Sequence, residues 1–219
     1  KKYSKKTMTA FKDNIIFVPV WSLKYGGPVT SVFNLLKVIG EDATLISKSF
    51  EYQNKKPKFL PENQSFLTFS SFLFSKFFFK LIFSTKKTYL FINGCWDFVG
   101  FFLIIYGIIS KKRLILHPRG MLLAKALNKN KLIKNIFINF IYKPLEKHFQ
   151  FFLCSCSQEK KDLSNIFPNS KIIIIPNYQH LPKIRPNKKK TNFQKKRLLF
   201  LSRIYPKKGI VELLKAWSK

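Results

Sequence analysis

Acidic side chains are scarce: the 219 residues hold ten Asp and Glu against 41 Lys and Arg, a net charge of +31. That imbalance points to anionic partners, whether nucleic acid, acidic lipid or a phosphorylated substrate. A second reading is compositional, because Lys, Asn, Ile and Phe are abundant together, as in an AT-rich coding sequence, and part of the charge then serves no dedicated partner. Glycine is also sparse, at eight residues. Neither G-x-G-x-x-G nor G-x-x-x-x-G-K-[ST] occurs, which disfavours a nicotinamide enzyme and a P-loop NTPase. The three cysteines, Cys95, Cys154 and Cys156, form no C-x-x-C and have no His or Cys partners at zinc spacing. They suit a reducing compartment and buried thiols, with no metal site.

Long apolar runs are missing as well. The first residues, "KKYSKKTMTAFKDN", are basic and polar with no apolar stretch behind them, so no cleavable signal peptide is read. The chain does not begin with Met, and Met8 is a candidate start within a fragment. Residues 66–83, "FLTFSSFLFSKFFFKLIF", read as a helix with Thr68, Ser71, Ser75, Lys76 and Lys80 on one polar stripe; it suits a core helix or a membrane-surface helix. Residues 98–109 are apolar on all sides but fall short of the roughly 20 residues a bilayer span needs, and read as a core helix.

What is present is an alternation. "IIFVPV" is short, apolar and rich in β-branched residues; "DATLISKS", "KKTYLFING" and "RLILHPRG" read as further strands, the last two ending in turn residues, and "FFLCSCS" and "KIIIIPN" as two more. Between them lie stretches with helical spacing, such as Val29, Val32, Phe33, Leu36 and Ile39. Strands alternating with helices predict an α/β fold, a parallel sheet with helices on both faces. Residues 122–149 predict a long helix with Ile133, Ile136, Phe137, Phe140 and Ile141 on one face and lysines mostly elsewhere, a face that suits water or anionic lipid headgroups. Residues 178–196, with two prolines and a lysine run, read as a linker. The chain therefore divides into a first domain over 1–177, the linker, and the start of a second domain over 197–219.

The chemistry-bearing positions follow from where open α/β sheets bind ligands, at the carboxyl ends of their strands. Gly26 and Gly27 sit between the first strand and its helix, where the backbone can approach a phosphate or sugar. His117 and Arg119 follow another strand directly; a guanidinium there can grip phosphate in two-point fashion, and an imidazole can hydrogen-bond a sugar hydroxyl. In "LLFLSRIYPKKGIVELLKAW", Arg203 ends a predicted strand and Lys208 opens a predicted helix, so two cations and a helix N-terminus suit a diphosphate.

"YGGPVTSVFNLL", "INGCW", "HPRGMLLAKAL", "FFLCSCSQEKKDL", "IIIIPN" and "LLFLSRIYPKKGIVELLKAW" occur in the order found in group 1 (family 4) retaining glycosyltransferases, and the chain resembles the N-terminal portion of that family. The resemblance implies the GT-B fold: a complete N-terminal Rossmann-like domain on the acceptor side, then the first strand and helix of a truncated nucleotide-sugar-binding domain. It implies Arg203 and Lys208 as donor-diphosphate ligands, Gly26 and Gly27 as the N-terminal glycine loop, and His117 and Arg119 as cleft residues. It implies no cofactor, and no catalytic residue is assigned. Asn93 stands where relatives often have His, and Tyr178 where Gly is usual. The family's C-terminal E-x7-E element does not occur within the 219 residues.

The expected activity of the intact protein is sugar transfer from a nucleotide-diphosphate sugar to a glycan or lipid-linked acceptor, in cell-surface polysaccharide or lipopolysaccharide synthesis, the present chain alone being inactive. The expected location is the cytoplasm, with a peripheral place at the inner face of the cell membrane as a variant. Two other readings stay open: a non-catalytic remnant of such a gene, and a basic nucleic-acid-binding protein. The second is disfavoured because the aromatics cluster in apolar helices and are not interleaved with cations on a strand platform.

Overall fold

The computed structural model describes residues 14–39, 43–53, 56–61, 64–83, 88–177, 198–202, 204 and 208–218. The chain divides into two compact units, Lys1–His180 and Leu181–Lys219. The first is built on seven strands: β1 (Asn14–Phe17), β2 (Ala43–Ser47), β3 (Ser65–Thr68), β4 (Tyr89–Asn93), β5 (Arg113–His117), β6 (Phe149–Cys154) and β7 (Ile172–Ile174). They form one sheet in the order β7-β6-β5-β4-β1-β2-β3, and every pairing is parallel. The order reverses beside β1, which makes this a doubly wound, Rossmann-like α/β sheet.

Residue alternation along each strand divides the core in two. Ile15, Phe17, Leu90, Ile92, Leu114, Leu116, Phe152 and Cys154 point to one face. Ile16, Phe91, Ile115 and Leu153 point to the other. On the first face lie α2 (Phe69–Leu73), α3 (Lys76–Phe83), α4 (Phe98–Ile109), α5 (Ala124–Leu127), α6 (Lys131–Phe137) and α7 (Ser157–Ile166). Asp97 caps α4 by accepting from the backbone N–H of Val99 and Gly100 at 2.9 and 3.3 Å, and pairs with Lys48. Gly107 sets the close packing of α4 on the sheet: a Cβ there would stand 2.5 Å from Leu114 Cδ2 and 2.9 Å from Leu90 Cδ2. On the second face α1 (Gly27–Ile39) buries Val29, Val32 and Leu36 against β1 and β2.

Three expectations need correction. Residues 66–83 are not one helix. Ser65–Thr68 pairs with β2 as an edge strand, and the Thr68 hydroxyl then accepts from Ser71 N–H at 3.1 Å to start α2. Residues 122–149 are not one helix either. Asn130 adopts a left-handed backbone (φ 58) before α6, and a π turn at Ile138–Tyr142 follows it. The extra residue in that turn shifts the helical register. Phe137, Ile138 and Tyr142 pack inward, Ile138 and Tyr142 fully, while Ile133, Ile136 and Phe140 are exposed. Finally, Cys95 and Cys154 are buried, but Cys156 is exposed.

In the second unit α8 (Ile210–Trp217) forms as the sequence predicts, with Gly209 (φ 71) preceding it. Residues 198–201 join no strand among the described residues and are largely exposed. A strand needs a neighbouring ladder to exist, and apolar composition does not substitute for it. No helix among the described residues is long and apolar enough to cross a membrane.

Candidate functional site

The seven parallel strands deliver their carboxyl ends to one edge, and at that edge the turn after β5 has an unusual backbone. His117 ends the strand. Arg119 and Gly120 then take consecutive left-handed conformations, with φ of 58 and 74. For Arg119 that costs on the order of 1 kcal/mol, so the turn must be held from outside.

Two acceptor sets hold it. The Glu159 carboxylate, buried near the start of α7, accepts from Gly120 N–H at 2.6 Å and from the N–H and hydroxyl of Ser155 at 2.8 and 2.9 Å. The Arg119 guanidinium is gripped by neutral oxygens. Its Nε and Nη2 donate to Asn93 Oδ1 at 2.9 and 2.7 Å, and its Nη1 donates to Ser31 Oγ at 2.8 Å and Asn177 Oδ1 at 2.9 Å. Asn93 is fixed in turn, since its amide nitrogen donates to the Phe17 carbonyl at 2.9 Å. Strand ends β1, β4, β5 and β7 and helix α1 thus meet on one cation. Among the described residues the ion pairs join Lys48 to Asp97 and Lys58 to Glu51; no carboxylate pairs with Arg119. Burial pulls its pKa down to about 10, countered by the more distant Glu159 charge, so the group stays charged at neutral pH.

His117 is 3% exposed, and its Nε2 is buried with no hydrogen-bond partner among the described residues. Burial, with the Arg119 charge added, pushes its pKa down to about 3. The imidazole is therefore neutral, packed edge-on to Phe91 at 6.2 Å between centroids. A buried polar atom without a partner is uncommon in folded proteins and marks a place where a ligand could supply one.

His117, Arg119, Ser31 and Asn177 line one part of a cavity of about 740 Å³ whose remaining wall is largely apolar and includes Ile16, Phe91, Ile115 and Leu153. It opens on the second face of the sheet, where α1 covers β1 and β2. The volume falls within the range of small-molecule sites. The lining suits an amphiphile: an apolar body along the sheet, and an anionic or hydroxyl-bearing group toward Arg119 and His117.

His117 and Arg119, both named from sequence, thus stand in one cavity. Gly27 opens α1, the helix that supplies Ser31, and a Cβ at Gly27 would meet nothing within 4 Å. Gly26 takes φ 87 as the turn requires. Neither glycine lines the cavity. Lys208 is exposed just before α8. Arg203 lies outside the described residues, so the expected pairing of two cations there is not described.

Sequence reasoning did not assign Ser31, Asn93, Asn177 or Glu159 to the site. Glu159 left a readable trace: an acid at the third position of a predicted helix, four residues after a serine, is the pattern of a side chain that turns back to cap the preceding loop. Asn93 ends a strand and Asn177 follows one by three residues, positions that could have nominated them. Comparison of the chain with protein-family models, characterised proteins and solved structures gives no match in any of the three.

Proposed function

We propose that this chain is the acceptor-side portion of a GT-B glycosyltransferase, which in its intact form transfers a sugar from a nucleotide-diphosphate sugar to a lipid-linked acceptor. One observation carries the reading: a buried guanidinium held by neutral oxygens alone, beside an unpartnered imidazole nitrogen, at the carboxyl edge of a doubly wound sheet. Such a centre retains unspent positive potential for an anionic head group. The apolar remainder of the cavity favours a lipid-linked acceptor over a free glycan.

Arg119 anchors the acceptor phosphate, His117 Nε2 takes up a hydrogen bond from or to it, and Asn93 and Ser31 hold Arg119 in place. By the resemblance, Arg203 and Lys208 bind the donor diphosphate and neutralise it as it departs, the main electrostatic contribution expected of such an enzyme. By that resemblance the donor base, ribose and sugar contacts belong to the second domain.

The test is equilibrium binding of a short-chain polyprenyl phosphate, with UDP-sugars and GDP-sugars as competitors. Binding that weakens at least about tenfold in Arg119→Met, and that sugar nucleotides do not displace, supports the reading. Displacement by a sugar nucleotide would make this a donor site, and absence of binding would remove the acceptor assignment.

A further inference from the structure

α6 and its π turn keep a stripe of large apolar side chains in water on the face of the sheet opposite the cavity. Ile133, Ile136 and Phe140, at i, i+3 and i+7, are 69%, 59% and 77% exposed, and neighbouring Leu132 is 80% exposed. Their orientation is fixed from beneath. Phe137 packs on Trp96 and Phe101 with centroids 6.0 Å away in each case, and the Tyr142 hydroxyl donates to the Cys95 carbonyl at 2.7 Å. The same helical layer continues sideways through Phe69 on Phe102 at 5.4 Å, and its outer side also exposes Phe74, Phe79 and Phe98.

The surroundings of the stripe are cationic. Residues 124–148 contain six lysines and one acid. That acid, Glu146, is engaged by Asn169 N–H and the Ser170 hydroxyl. Lys134 lies over the Trp96 ring at 5.8 Å, whereas Lys125, Lys129, Lys131, Lys143 and Lys147 are exposed. An outward apolar ridge bordered by uncompensated lysines matches the interfacial region of a bilayer, acyl boundary beneath and lipid phosphates above.

We propose that the outer face of α6 and its π turn is a docking surface for an anionic lipid bilayer. Ile133, Ile136 and Phe140 enter the acyl boundary, and Lys129, Lys131, Lys143 and Lys147 engage headgroup phosphates. The surface and the cavity lie on opposite faces of the sheet, so this proposal can fail without the glycosyl-transfer reading, and the reverse.

The experiment is co-sedimentation of the 219-residue chain at 0.15 M salt with vesicles of phosphatidylcholine alone or with about 30% phosphatidylserine. Two variants accompany it, Ile136→Ser/Phe140→Ser and Lys129→Gln/Lys131→Gln/Lys143→Gln. All five positions are exposed, so both variants should keep the wild-type far-UV circular dichroism. Binding should be confined to the anionic vesicles, fall on the order of 100-fold in the lysine variant, and fall at least about tenfold in the apolar variant. In a Phe140→Trp chain, brominated lipid should quench more emission than in the wild type.

Several results would overturn the proposal. An apolar variant that binds like the wild type reduces the effect to diffuse charge adsorption, and absence of extra quenching in Phe140→Trp denies insertion. Displacement from vesicles by duplex DNA at equal phosphate makes nucleic acid the occupant. A dimer that ignores vesicles and dissociates in the apolar variant makes a second copy the occupant.

Discussion

Arg119 spends two of its N–H donors, Nε and Nη2, on the single amide oxygen of Asn93, at 2.9 and 2.7 Å. The amide nitrogen of Asn93 is tied to the Phe17 carbonyl. The pair therefore links β1, β4 and the turn after β5, and it does so without a negative charge.

Asn93→Ala should strip a buried cation of its main acceptor and the Phe17 carbonyl of its donor. The expected loss is about 2–4 kcal/mol, read as a lower urea midpoint with an unchanged slope. The double variant Asn93→Ala/Arg119→Met should lose less than the two single losses summed, because each single change leaves a stranded partner. Additive losses would show that the contact carries no coupling.

His117 gives a pH dependence whose sign is fixed. Its native pKa, about 3, lies below the ordinary 6.5, so between those values the unfolded chain binds a proton that the folded chain refuses. Stability contributed by the neutral imidazole is complete above pH 6.5 and drains away as pH falls toward 3. From pH 6.0 to 4.5 the wild type should lose about 2 kcal/mol more than His117→Phe. Parallel urea-unfolding curves for the two proteins across that interval would contradict this.

Glu159 is the second support of the turn. Glu159→Ala leaves the N–H groups of Gly120 and Ser155 without their acceptor and should cost about 2–4 kcal/mol. Glu159→Gln retains one carbonyl oxygen and should cost less. Hydrogen exchange at Gly120 and Ser155 is the local readout, and both amides should lose protection in the Ala variant before the strands do.

Gly107→Ala should destabilise despite alanine's higher helix propensity. The propensity gain is up to about 1 kcal/mol. Against it, the added methyl collides with Leu90 and Leu114, which are 1% and 0% exposed, and overpacking of that kind costs about 1–3 kcal/mol. A thermal midpoint at or above the wild type would mean that α4 slides outward freely.

Much of the sheet was legible because its signal is local. Six of the seven strands are short apolar runs, and position at a strand end sufficed to nominate His117 and Arg119. β3 was missed because Phe66 and Leu67 run without a break into the phenylalanines of α2 and α3, and only the Thr68 cap separates them. The outward turn of Ile136 and Phe140 was hidden for a different reason. Ile133, Ile136 and Phe140 share one apolar face and Phe137, Ile138 and Tyr142 form another, and only packing on the sheet decides which of the two is buried. Of the site, Arg119 was readable and its holders were not. Ser31, Asn93 and Asn177 are ordinary polar residues whose meaning arises when distant segments meet.

That meeting carries a consequence for how the chain assembles. Arg119 bonds to Ser31, 88 residues earlier, and to Asn177, 58 residues later, while Ser31 and Asn177, 146 residues apart, bond to each other. Parallel pairing over such separations is slow, since loop closure is paid before contacts reward it. The cavity therefore exists only once both halves of the sheet have docked. An anionic amphiphile that seats there recognises the finished fold and no earlier species, so it should slow unfolding and raise the thermal midpoint with the logarithm of its concentration above Kd, while leaving the rate of sheet nucleation untouched.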